Sequence, residues 1–534
     1  MKFTQLRWFV TMLLLVTAMA MPKMAWAEIK PKQPSGKGTA DSPYQIGTAE
    51  ELYWFAALVN GDESVCTGDV TQNTSANAVL TADITVNTGV LNDDGTLANN
   101  YSGFITWTPI GKVLKKPYTG TFDGQGHTIS GLYFNNSEVI SVGLFGNKDK
   151  GTIKNVGVVD SYFNGSLTVG GVCGYNEFGT ITGCYNTGAV SGNGYVGGVC
   201  GYNEYGTINS CYNTGAVSGG SEMIGGVCGI NETMNNFKAY ITNCYYNSDK
   251  YTGNAIGADW GTATNKVEGK TTEQFKSGEV CYLLNGSSPY GEWGQQIGTN
   301  DYPIIGSAYK VLRAAQDGQE GTNYWVTFSN RKSNAELMAS TGEITVYNAI
   351  VSGGTLTLTK RSDHKVALGE GVLLKANCEY VNTINISDEV SAAATGENHL
   401  VATPATAQTI TAETGYTLYR LTYNKTATKE GLGFYLGIVG ESNDGSQLKA
   451  TPGKAYLKVS TDAATTPATA ALARSFVFPG DDETTGIGDI VIEGDAGISG
   501  SANADGRIYN LQGQQVTAPV KGLYIKNNKK VIIK

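Results

Sequence analysis

Short apolar runs framed by glycine return along this chain at a nearly constant interval. Gly143-Leu144-Phe145-Gly146 recurs as Gly171-Val172-Cys173-Gly174, Gly198-Val199-Cys200-Gly201 and Gly226-Val227-Cys228-Gly229, with the closing glycines 28, 27 and 28 residues apart. A second element starts five residues after the first three closing glycines: Gly151-Thr152-Ile153, Gly179-Thr180-Ile181 and Gly206-Thr207-Ile208; in the last unit it is a degenerate Tyr240-Ile241-Thr242 after a short insertion. The third is Cys184-Tyr185-Asn186-Thr187-Gly188-Ala189-Val190, repeated as Cys211-Tyr212-Asn213-Thr214-Gly215-Ala216-Val217. Each unit is therefore a series of short strand segments separated by Gly and Asn, which enter turns of positive φ at least cost. At about 3.3 Å per strand residue, a unit of this length makes one coil of a three-sided β-solenoid, with coils stacked about 4.8 Å apart. One coil buries no core, but stacked coils share a continuous one.

The preceding segments Ala78–Ile84, Trp107–Gly111 and Tyr118–Ile129 read as irregular early rungs, so the solenoid is expected over 78–310, with clear repeats at 142–250. Before it, Thr48 followed by Glu51 forms a capping-box pattern. The helix it starts, through Val59, places Leu52, Phe55, Ala56 and Val59 on one face. Residues 28–77 are read as a cap over the open end of the solenoid, which otherwise presents unpaired strand edges. The run "FDGQGHTISGL" at 122–132, followed by the GLFG, GTI and GGVCGYN units, resembles the GLUG-repeat family of bacterial surface proteins. Those repeats recur in filamentous-adhesin-like proteins and beside the catalytic domain of certain immunoglobulin-A-cleaving peptidases. The resemblance implies a surface-exposed right-handed parallel β-helix and carries no assigned activity.

Beyond residue 310 the period disappears. Alternating runs such as Thr355–Lys360, Val372–Lys375, Tyr416–Tyr423, Gly433–Leu436 and Ala455–Val459 predict an antiparallel β-sandwich-like accessory domain over 311–478. Residues 479–504, rich in Gly, Ser, Ala and acids, read as a linker. The last segment, 505–534, carries Gly506–Val516, Lys521–Ile525 and Lys529–Lys534, and is similar to the C-terminal sorting domains of the type IX secretion system. That similarity implies contact with secretion machinery, passage across the outer membrane, and release or surface attachment. At the other end, Lys2 and Arg7 precede the apolar run Phe9–Met21, and Ala25-Trp26-Ala27 supplies a cleavage pattern, so 1–27 reads as a secretory signal peptide. No later segment has the length of apolar residues a membrane-spanning helix needs. The expected fold is all-β: a solenoid, a sandwich-like domain and a small C-terminal β tail.

Composition agrees with this picture and narrows the function. Of 534 residues 70 are glycine and 30 tyrosine, while charged residues make up only 16%. That suits short strands and tight turns and is too poor in charge for a helical bundle. A net charge of −9 argues against a nucleic-acid partner, which calls for a basic face. The nine cysteines include two columns, Cys173, Cys200 and Cys228, and Cys184, Cys211 and Cys244. The first aligns with Phe145 and the second with Val156, which favours small buried hydrophobes. Disulfides between stacked rungs are also sterically allowed. Metal ligation is disfavoured by the absence of CxxC and of a neighbouring His.

The three histidines, His127, His364 and His399, form no HExxH motif, and neither GxSxG nor a P-loop occurs. No catalytic residue, cofactor or metal is therefore assigned. Asp123 and His127 stand on either side of a Gly-Gln-Gly turn rather than as an acid–base pair. Glu177 and Glu204, one rung apart, are the alternative acid pair of a polysaccharide lyase or glycosidase on a parallel β-helix. What recurs instead is Tyr-Asn-Glu followed by an aromatic residue: Tyr175, Asn176 and Phe178, then Tyr202, Asn203 and Tyr205. If outward-facing, these form a stripe suited to a surface glycan or protein, host or bacterial. The sequence thus points to an exported, non-catalytic adhesion or ligand-binding module. The rivals are the polysaccharide-active enzyme and a purely structural surface-layer component.

Overall fold

The computed structural model describes residues 29–477, apart from positions 221, 235, 262, 321, 340–341, 388–389, 391–396, 427–428, 438–443, 467–470 and 473–474, together with 490–493, 508–509, 522–526 and 529–533. The proposed signal peptide lies outside the described residues. The chain divides into two compact units: 1–275 with 303–306, and 276–302 with 307–534.

The first unit is a parallel β-solenoid of about five turns. One full coil runs through strands Cys173–Glu177, Thr180–Thr182, Tyr185–Asn186, Ala189–Gly192 and Tyr195–Gly197. The next coil pairs with it in parallel, Cys173 on Cys200, Ile181 on Ile208, Tyr185 on Tyr212 and Val190 on Val217. Like residues therefore stack on like, and one continuous core results, built from Phe145, Val156, Ile153, Ile181, Val172, Val199 and both cysteine columns. Close packing sets the glycine pattern. A Cβ at Gly170 would lie 2.2 Å from the Cys173 carbonyl, and at Gly197 2.0 Å from that of Cys200.

Helix α1 (Ala49–Asn60) packs on the first coils. Thr48 Oγ1 accepts from the Glu51 amide at 3.3 Å, Glu51 Oε2 accepts from the Gly47 amide at 2.8 Å, and Gly61 ends the helix at φ 69°. Its buried Phe55 contacts the rings of Tyr118 and Phe122. The last coil consists of Ile256–Trp260 and Ala263–Lys270. Residues 276–302, expected within the solenoid, instead group with the second unit. They include a short helix, Glu279–Leu284.

The second unit holds more than one sandwich. A four-stranded sheet contains 309–313, 380–386, 334–338 and 365–366, a six-stranded sheet is centred on 323–329, 371–376 and 344–352, and a five-stranded sheet on 455–460, 416–426 and 429–436. Successive residues of the central sheet face opposite cores. Val326, Phe328 and Leu374 pack with Leu312, Leu337 and Val381, whereas Trp325, Leu373 and Tyr347 pack with Tyr419, Phe434 and Leu457. Two cores thus share one sheet, and its strands are apolar on both faces, a pattern that local alternation does not distinguish from a single sandwich. Ile490–Glu493, inside the segment read as linker, adds as a parallel strand beside Leu356–Thr359. The C-terminal β tail consists of 508–509, 522–526 and 529–533 in an antiparallel sheet.

Candidate functional site

Three columns of side chains run along one edge of the solenoid, where each Cys-Gly-x-Asn-Glu strand ends. The first column is Tyr175 and Tyr202, with ring centroids 5.2 Å apart and Tyr195 edge-on to Tyr202 at 5.6 Å. The second is Asp149, Glu177, Glu204 and Glu232, each in register with the next. The third is Phe178 and Tyr205, 4.9 Å apart, with Phe237 edge-on to Phe178 at 5.2 Å. Phe178 is 38% exposed and Phe237 56%.

The aromatic and acidic columns are tied together. The Tyr175 hydroxyl donates to Glu204 Oε2, and that of Tyr202 to Glu232 Oε2. Burial and these carboxylates hold both phenols well above the usual tyrosine range. Partial burial pushes the Glu177 carboxyl up, and the negative charges of Asp149 and Glu204 push it further.

Phe178 and Tyr205 sit at φ 50° and 54°, in the left-handed region. The glycine that would relieve each turn is already committed next door. A Cβ at Gly179 would meet Lys148 Nζ at 1.6 Å, and one at Gly206 would meet Asn176 Nδ2 at 2.2 Å. A left-handed non-glycine residue costs roughly 1–2 kcal/mol, and an aromatic pair returns about 0.5–1.5 kcal/mol. The stack therefore offsets the strain without a clear gain, and Asn would fit the same turn more cheaply.

Asn176 and Asn203, grouped above with the stripe, face inward and are fully buried. They belong to a hydrogen-bonded ladder. Lys148 Nζ donates to Asn176 Oδ1 at 3.1 Å, Asn176 Nδ2 to Asn203 Oδ1 at 2.7 Å, Asn203 Nδ2 to Asn231 Oδ1 at 2.8 Å, and Asn231 Nδ2 to Asp259 Oδ1 at 3.0 Å. The reason is stoichiometric: each amide satisfies the next, and the same Nδ2 also donates to the Gly179 or Gly206 carbonyl. The contact stripe is thus Tyr175, Phe178, Tyr202 and Tyr205 without the two amides.

Sequence reasoning missed Phe237, which an insertion carries into the third column, and missed Lys148 and Asp259 as the ladder's charged ends. The repeat spacing places Lys148 28 residues before Asn176 and Asp259 28 after Asn231, and that register was the available signal. The six column cysteines are free and buried, and burial holds the Cys173, Cys184, Cys200 and Cys211 thiols well above their usual range. Asp123 pairs with Lys154 at 3.1 Å and His127 with Asp83 at 3.4 Å, so these two are not partners of each other. Among the described residues no group of three or more His, Cys, Asp or Glu is placed to hold a metal ion.

Residues 165–191 and 192–218 match the GLUG motif. These two GLUG coils carry Tyr175, Phe178, Tyr202 and Tyr205. Over 162 residues, 30% of this chain, the sequence is 33% identical to halomucin of Haloquadratum walsbyi, and the match spans 2% of that protein's length. A crystal structure of a proposed immunoglobulin A1 protease from Bacteroides ovatus is similar at 19% identity and a TM-score of 0.32, covering 51% of this chain and 94% of that one. A superposition of that quality establishes neither a shared fold nor a shared activity.

Proposed function

We propose that this chain is an exported cell-surface protein whose GLUG solenoid is a non-catalytic adhesion module, taking a surface glycan or protein along the edge formed by Tyr175, Tyr202, Phe178 and Tyr205. The observation that carries this reading is the aromatic pair held at left-handed turns, Phe178 exposed and Tyr205 half-buried. Their identity adds little to folding, so selection for contact explains them better than selection for stability. Tyrosine suits such a surface, since its ring buries apolar area while the hydroxyl keeps a polar partner. The GLUG and halomucin matches support a surface role. Export is supported by the signal-peptide pattern at 1–27 and the sorting-like tail at 505–534. No helix among the described residues is long and apolar enough to cross a membrane.

The test is a glycan and matrix-protein array probed with the full chain and with a Tyr175→Ala/Tyr202→Ala/Tyr205→Ala variant. Retention by at least one ligand class, lost in the variant, supports the module. Equal retention by both removes the edge as the contact surface.

One observation favours a second reading, hydrolysis of a polysaccharide. Glu177 and Glu204 occupy adjacent rungs, about 4.8 Å apart in the backbone, near the separation of carboxyl groups in retaining glycosidases, and burial pushes the Glu177 pKa up, the direction a general acid needs. Reducing-sugar release from a polysaccharide panel, abolished by Glu177→Gln, would establish it. Absence of release across the panel leaves the edge as a binding surface.

A further inference from the structure

The second unit contains a polar cleft of about 200 Å³, lined mainly by the strands Tyr416–Thr426, Gln447–Ala450 and Ala455–Ser460, with Asp317, Thr327 and Thr403 beside them. Its floor is an ion pair: Lys454 Nζ lies 3.1 Å from both oxygens of Asp317, and Asp317 Oδ2 also accepts from the Thr327 amide at 3.0 Å. Asp317 is thereby fully engaged and neutralises Lys454. The remaining two charges on the lining, Arg420 and Lys449, are exposed, and neither has an ion-pair partner among the described residues. Thr422 and Thr451 also line the cleft. In a chain of net charge −9 with only 38 basic residues, two cations without an ion-pair partner among the described residues on the lining of one polar cleft are a specific feature.

We propose that this cleft is a binding site for an acidic sugar, a pyranose bearing a carboxylate. The carboxylate lies between the Arg420 guanidinium and the Lys449 ammonium. Arginine offers a planar fork of donors that fits a carboxylate through two parallel hydrogen bonds. The sugar hydroxyls exchange hydrogen bonds with Thr422 and Thr451, which both donate and accept. A bare inorganic anion would use the two cations and leave most of the cleft unfilled, so both the volume and the hydroxyl lining favour the sugar. The fixed Lys454–Asp317 floor means that the site is formed before ligand arrives, which limits the ordering cost of binding. The solenoid edge is acidic and aromatic, whereas this cleft is basic and hydroxyl-lined, so the two sites would accept different ligands and the second stands independently of the first.

The experiment is isothermal titration of the full chain with D-glucuronate, with D-glucose and inorganic sulfate as comparison probes. Wild-type protein is expected to bind glucuronate saturably, glucose not measurably and sulfate at least about tenfold more weakly. Arg420→Ala and Lys449→Ala should each weaken glucuronate about tenfold, in line with loss of one charge-assisted hydrogen-bonding group. Both residues are exposed, so the variants should fold, and an unchanged circular-dichroism spectrum and melting curve checks this. Absence of saturable glucuronate binding overturns the proposal. So does equal binding of glucose or sulfate, or full affinity in the Arg420→Ala/Lys449→Ala double variant.

Discussion

Phe178 and Tyr205 occupy turns where their own backbone conformation is a liability, and that makes them separable from the fold. Asparagine tolerates the left-handed region better than an aromatic residue. Phe178→Asn/Tyr205→Asn should therefore unfold within about 1 kcal/mol of wild type, or slightly above it, because relieved strain and the lost ring pair are of similar size. Ligand retention should fall in the same variant. A melting temperature that drops sharply would instead make these rings structural. Lys148 is the opposite case, a residue whose chemistry is internal. Burial pushes its ammonium down to about 8 from an ordinary 10.5. Between those values the unfolded chain binds a proton at Lys148 that the folded chain does not, so the contribution of this one group to stability rises with pH across that window. From pH 8 to 10 the gain is about 2 kcal/mol. Above pH 10 the raised tyrosines Tyr175 and Tyr202 act in the opposite direction, because the folded state then holds protons that the unfolded state releases. The buried thiols Cys173, Cys184, Cys200 and Cys211 also oppose it from about pH 8.5, because the unfolded chain releases protons that the folded chain keeps. The Lys148 contribution is therefore read as a difference: between pH 8 and pH 10, denaturant titrations should show stability changing about 2 kcal/mol more favourably in wild type than in Lys148→Met.

At the scale of the element, the amide ladder is polarised along its length. Every Asn donates toward the C-terminal coils, so its N–H groups point at Asp259 and its first carbonyl at Lys148. A cation at the carbonyl end and a carboxylate at the N–H end complement that direction. Asn203→Ala should cost roughly 3 kcal/mol, because it strands the Asn231 carbonyl oxygen and one Asn176 donor away from water. Asn164→Ala removes a similar amide pair, at 2.8 Å to Asn135, from the half-buried outer face of its strand. That change should stay within about 0.5 kcal/mol. Urea unfolding of the two variants distinguishes a buried ladder from a generic amide stack. The coil itself was legible from sequence because stacking demands the same residue at the same place in successive turns, and GGVCG shows that demand directly. Which way Asn176 points was not legible. Glycine-rich bends interrupt the two-residue alternation between Cys173 and Glu177, leaving no parity to read. Phe237 escaped for another reason: it reaches the aromatic column by way of an insertion outside the period.

For the whole molecule, the legible part was the order of architectures, with parallel coils first and antiparallel strands after. The three-layer arrangement of the second unit was not visible, since Trp325-Val326 and Val372-Leu373-Leu374 read as a plain apolar run whichever cores they enter. The strand Ile490–Glu493 was lost in a window dominated by Gly, Ser and acids. If the tail is a sorting signal, deletion of 505–534 should leave the protein in the periplasm, as read by surface labelling of intact cells. Unchanged labelling would assign the tail to packing alone. The measurement that bears most directly on the central claim is a binding isotherm of the full chain against a ligand retained on the array, compared with the Tyr175→Ala/Tyr202→Ala/Tyr205→Ala variant at matched circular dichroism. The solenoid-edge account predicts at least a tenfold loss of affinity, about 1.4 kcal/mol or more, with the fold intact. Equal affinity in a folded variant would contradict it.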